Sequence, residues 1–118
     1  MKENIIVSKS FQFALEAIRF CEKLETEKKF VIARQLLRSA TSIGANVYES
    51  QHAESRADFI HKMKIAAKEA NETCYWLHLC EKAETLPDQS LLLEKAEELG
   101  RIIAKIIYSA KTKRNQMN

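Results

Sequence analysis

The sequence predicts an all-α protein, an antiparallel up-down-up-down four-helix bundle. Three observations lead there. The 118 residues include two glycines, Gly44 and Gly100, and one proline, Pro87, so long segments run without the residues that punctuate strands and turns. Apolar residues recur at alternating spacings of three and four, which is a helical period. The polar intervals between the apolar segments are short, near residues 26–29, 52–55 and 84–88, and short loops between long helices make neighbours antiparallel. With 46% hydrophobic and 30% charged residues, the chain is expected to form one domain over 1–118. Its core, at about 8–112, needs no disulfide or metal to hold it.

The first helix is expected to start after Ser8 or Ser10, with Phe11, Phe13, Ala14, Leu15, Ala17, Ile18, Phe20, Cys21 and Leu24 giving it an apolar face, and to end in the charged run ETEKK. The second starts near Phe30, runs to about Gln51 and carries two seams. Phe30, Ala33, Leu37, Ala40, Gly44 and Val47 form one. Ile32, Leu36, Ser39, Ile43, Asn46 and Ser50 form the other, and together the seams cover roughly 200° of a helix that needs about 100°. Such a helix must pack on two sides. Ala33, Ala40 and Gly44 are small enough to admit a close neighbour.

Ser55, followed by Asp58, has the pattern of an N-cap with an acidic capping box, so the third helix runs from there to about Ala83. Its core arc is Phe59, Ile60, Met63, Ala66, Ala67, Ala70, Thr73, Cys74, Leu77 and Cys80. The opposite face holds Ile65, Trp76 and Leu79 with Glu69 and Glu72. After the turn at Pro87 the fourth helix follows Leu92, Ala96, Leu99, Ile103, Ile106 and Ala110, and dissolves into KTKRNQMN.

Ile32, Leu36, Ile43, Ile65, Trp76 and Leu79 exceed what one four-helix core accepts. With Asn46, Glu69 and Glu72 they are the expected subunit contacts of a closed homo-oligomeric ring. Asn46 either fixes register across such a contact or bonds within its own chain.

Nothing in the sequence assembles an active site, a cofactor site or a metal site. Glu49 and His52, and Asp58 and His61, have Glu-x-x-His-like spacing, but both pairs fall at one turn, without the further inward carboxylates that a di-iron bundle needs. Cys74 and His78 lack a third ligand. Cys21, Cys74 and Cys80 are odd in number and set in apolar patterns, as reduced thiols are. A non-enzymatic protein is expected. It should be cytoplasmic, because there is no signal-peptide pattern and no run of the roughly 18 apolar residues that spans a membrane. The net charge of +3, from 19 basic and 16 acidic residues, permits an anionic partner. Many cations sit where they complement helix C-termini. Lys62, Lys64 and Lys68 decorate the third helix. The set expected to meet RNA phosphates is Arg34, Arg38, Lys111, Lys113 and Arg114.

The run QLLRSATSIGANVYES, followed by DFIHKMKIAAKEANETCYWLHL, resembles the bacterial four-helix-bundle proteins encoded by intervening sequences in 23S ribosomal RNA genes. The resemblance implies a homopentameric ring. It also implies kinship with the accessory proteins of diversity-generating retroelements, which bind RNA and a reverse transcriptase. Gly44 stands where many members have proline, and Ser50 and Gln51 follow Glu49 where a Gly-Arg pair is common. The expected role is an RNA-binding or assembly scaffold. The alternative is an adaptor that presents helix faces to another protein.

Overall fold

The computed structural model describes residues 4–87 and 89–117, excluding the side chains of residues 114, 116 and 117. Four helices account for nearly all of it: α1 (Ile5–Thr26), α2 (Phe30–Ser50), α3 (Arg56–Lys82) and α4 (Ser90–Met117). No strand occurs among the described residues. Each helix packs on its sequence neighbour and α4 closes back on α1, which leaves α1/α3 and α2/α4 as the diagonal pairs. The molecule measures 53 × 25 × 23 Å.

The helix ends have local causes. α1 starts earlier than Ser8: Asn4 is its N-cap, accepting from the Val7 N–H, and its amide also donates to Gln51 Oε1 at 2.7 Å. Ser10, a strong capping type, lies inside the helix and satisfies its hydroxyl on the Val7 carbonyl at 3.2 Å. The helix ends with Lys28 in the left-handed region, φ 64°, and the Lys29 N–H on the Leu24 carbonyl at 2.8 Å, a Schellman closure. At α3 the expected cap forms. The Ser55 hydroxyl accepts from the Asp58 N–H at 3.0 Å, and the Asp58 carboxylate accepts from the Glu54 N–H at 3.2 Å. α4 does not dissolve at KTKRNQMN but continues helically to Met117, with cations at the end where the helix dipole favours them. Asp88, in the turn before it, lies outside the described residues.

Both seams of α2 face inward beyond Phe30, which stands at the helix start and is exposed. Leu36, Ala40, Ile43 and Val47 have no exposed surface, and they join Phe13, Leu24, Met63, Leu77, Leu99 and Ile103 in one core. The expectation that Leu36 and Ile43 contact another subunit is therefore corrected. In a four-helix square every helix has two neighbours in its own chain, and α2 spends its wide arc on them. Toward α1, a Cβ at Gly44 would stand 3.3 Å from the Ser10 carbonyl oxygen. Toward α3, the buried Thr73 hydroxyl donates to Ser39 Oγ at 2.9 Å.

The two glycines therefore answer differently to alanine. A Cβ at Gly100 meets nothing within 4 Å, so Gly100→Ala should gain the helix-propensity difference of about 1 kcal/mol. At Gly44 the same methyl presses on α1 backbone, and Gly44→Ala should gain little or lose stability. Urea midpoints of the two variants measured side by side check this. Equal gains would contradict the close α1–α2 approach.

Candidate interaction surfaces

The most organised polar cluster joins α2 to α3. Antiparallel packing sets Arg38 beside Glu69 and Glu72, which lie one turn apart on α3. Arg38 Nη1 donates to Glu69 Oε2 at 3.3 Å, and Nη2 pairs with Glu72. Glu72 also accepts from Trp76 Nε1 at 3.1 Å. The Trp76 indole N–H, and after it the Arg38 guanidinium, hold the Glu72 carboxyl below the usual carboxylate range. Trp76 packs against the core and meets Tyr75 edge-on, with ring centroids 5.0 Å apart. The large indole opposite the core arc thus closes the edge of its own bundle.

The five cations expected to meet RNA do not converge. Arg34 is exposed near the start of α2, and Arg38 is engaged by two carboxylates. Lys111 is half-buried and Lys113 exposed near the end of α4, the helix diagonal to α2. The Arg114 side chain lies outside the described residues. Of the residues expected at a subunit contact, Ile65, Glu69, Glu72, Trp76 and Leu79 share one stripe of α3, at spacings of four, three, four and three. Ile32, Asn46, Ile65, Glu69, Glu72 and Trp76 are half-buried, and Leu79 is exposed. Asn46 satisfies its amide on the Ser42 carbonyl of its own helix at 2.9 Å.

Two surface features escaped the sequence reading. The first is a shallow groove of about 370 Å³ between α1 and α2, lined by Val7, Phe11, Ala14, Thr41, Ala45 and Tyr48 and floored where Gly44 approaches Ser10. Phe11 and Tyr48 stand at its rims, 61% and 63% exposed. Phe11, Ala14 and Ile18, expected on the core face of α1, instead form with Val7 a second stripe at spacings of four, three and four, on which Phe11 and Ile18 are exposed because the core takes only the Phe13–Ala17–Phe20–Leu24 side. The second feature is the outward side of α3, where residues 61, 64, 68, 71, 75, 78 and 82 are all exposed at alternating spacings of three and four. None of the seven is acidic.

Elsewhere the polar groups serve structure. Lys9 pairs with Glu98 and Lys95 with Glu16 across α1 and α4. Glu49 pairs with Lys62 at 3.2 Å, and His52 lies against Tyr48. Among the described residues no group of three or more His, Cys, Asp or Glu side chains could hold a metal ion. Burial pushes the Cys21 thiol up to about 12 and Cys80 to about 11, which keeps both protonated and unreactive at neutral pH. Among the described residues, no helix is long and apolar enough to cross a membrane.

Comparison with known proteins places this geometry. The family model described as 23S rRNA-intervening sequence protein matches residues 2–105. A crystal structure of a protein of unknown function from the S23 ribosomal protein family of Bacteroides thetaiotaomicron VPI-5482 is 42% identical. The match covers 86% of this chain and 97% of that one, with a TM-score of 0.79. No curated protein matches.

Proposed function

The chain belongs to the family of 23S rRNA-intervening sequence proteins, and from that membership we propose a non-enzymatic scaffold that assembles into a homo-oligomeric ring and binds RNA. The observation that carries the reading is the unpartnered apolar strip on α1 and α2. From Val7 to Ile18 it runs about 16 Å at 1.5 Å per residue, across two helices whose axes stand roughly 8–10 Å apart. That is the size of the apolar centre of a contact, and the polar surface around it fills out the roughly 800 Å² per partner of a standard interface. Phe11 and Tyr48 are large, rigid and exposed, as interface anchors are. The occupant is a second copy of this chain, and the ring is the pentamer that the family resemblance implies.

Light scattering coupled to gel filtration tests it. The wild type should elute at five times the 13.6 kDa chain mass, and the double variant Phe11→Glu, Tyr48→Glu as a folded monomer. A monomeric wild type removes the ring and favours the adaptor role. A double variant that keeps the wild-type mass moves the interface to another face.

A further inference from the structure

We propose that the outward side of α3 is a binding site for single-stranded nucleic acid, laid lengthwise along the helix with phosphates on Lys64, Lys68 and Lys82 and a base stacked on Tyr75. The proposal rests on the RNA-binding reading above and assigns it a surface.

The two seams of α2 and the core arc of α3 leave one side of α3 facing solvent. Lys64, Lys68, Asn71, Tyr75, His78 and Lys82 fall on it at alternating spacings of four and three, and all six are exposed. From Lys64 to Lys82 the row spans about 27 Å at 1.5 Å per residue. Several cations elsewhere are committed. Lys9, Arg38, Lys62 and Lys95 each pair with a carboxylate on another helix. Among the described residues no ion pair engages Lys64 or Lys68, and Lys82, its side chain 81% exposed, has only its neighbour Glu81 at 3.7 Å. Glu69 and Glu72 are turned toward Arg38 on α2, although Glu72 also feels the charge of Lys68. A line of solvent-exposed ammonium groups with no acidic residue in the row suits a phosphodiester chain.

Tyr75 decides which kind of chain. It is 57% exposed and braced edge-on by Trp76, at an interplanar angle of 70°, and Trp76 is itself tied to Glu72. The ring is thus held in place with surface open to solvent. A convex helix cannot enter the deep, narrow major groove of an RNA duplex, whereas an unstacked base of a single strand can lie on an aromatic ring. The Asn71 amide, between Lys68 and Tyr75, offers both donor and acceptor to a base edge.

Fluorescence anisotropy with a short labelled oligouridine at low salt tests the site. The wild type should bind, with a log–log salt slope of about −2 for three lysines on a single strand. Lys64→Glu with Lys68→Glu should weaken binding at least about tenfold and flatten the slope. Tyr75→Ala should weaken it about tenfold with the slope unchanged. Arg19→Glu with Lys23→Glu makes the same change in net charge at two exposed positions four apart on α1, the helix diagonal to α3; its effect should stay within about threefold. Circular dichroism and light scattering confirm that each variant keeps its fold and mass. An equal loss in the α1 control, no effect of Tyr75→Ala, or equally tight binding of an RNA duplex overturns the site. If the wild type binds and the α3 variants bind as well as it does, this surface is wrong and the RNA-binding role stands. A wild type that binds no RNA removes both, while the assembly is judged separately by its mass.

Discussion

Ile43→Ala should lower the unfolding free energy by about 2–5 kcal/mol, and Leu36→Ala should cost the same order. Both side chains have no exposed surface within a single chain. Each truncation therefore loses the transfer free energy of its methyl and methylene groups, and leaves a cavity that the neighbours close only in part. The gap cannot be refilled cheaply, because α2 is held on one side by the Gly44–Ser10 approach and on the other by the Thr73–Ser39 hydrogen bond. Urea unfolding at several protein concentrations separates this from an interface role. A core residue lowers the midpoint by the same amount at every concentration. An interface residue makes the loss depend on concentration, because dissociation then precedes unfolding. A loss under about 1 kcal/mol, or one that grows on dilution, would return these residues to a subunit contact.

That contrast shows where sequence reading succeeds and where it stops. Helix period and polar breaks located all four helices, and the Ser55–Asp58 pair marked the start of α3, because both signals are local to the chain. The start of α1 was misplaced because Ser8 and Ser10 are good N-cap types; that Asn4 caps instead depends on a packing partner, Gln51, in a distant turn. The wide arc of α2 was visible, but not its destination. Two seams on one helix indicate two neighbours, and the sequence does not say whether the second belongs to the same chain.

The candidate site shows the same limit. Arg38 read as a free cation on a polar face, because its carboxylate partners lie 31 and 34 residues away and meet it only through the antiparallel register of α2 and α3. Trp76 looked misplaced because it lies opposite the core arc of its own helix. Its indole N–H has a partner one turn back on its own helix, and its ring seals the α3 edge of the core. The row on α3 needed no partner to be seen. It was overlooked because attention to apolar spacing leaves polar residues at the same spacing unread.

Trp76→Glu should destabilise the folded chain by about 3 kcal/mol at neutral pH, near the low end of the range for losing a tryptophan because Trp76 is only half-buried. The change removes the ring that Tyr75 leans on and the N–H that Glu72 accepts. It also adds a third carboxylate to a cluster in which Arg38 already serves two. The pH dependence separates this account from a plain loss of packing. In the wild type the carboxyl of Glu72 lies below its ordinary value. Its contribution is therefore present above the unfolded carboxylate range of about 4.3 and is lost as pH falls through the lowered folded value. In the variant, like-charge crowding raises the new carboxyl above its unfolded value, and Glu72 loses one of the two donors that hold it down. A raised acid takes up its proton in the folded state first, so stability is regained as pH falls toward that range. The gap between wild type and variant should thus be widest near neutrality and narrow in acid. Thermal melts from pH 7 to pH 4 read it directly, with Trp76→Leu as the uncharged comparison, whose gap should stay closer to constant. Parallel curves for Trp76→Glu and wild type would show that the carboxylates at this edge do not interact. A variant that unfolds like the wild type but dissociates to a monomer would place Trp76 at a subunit contact instead.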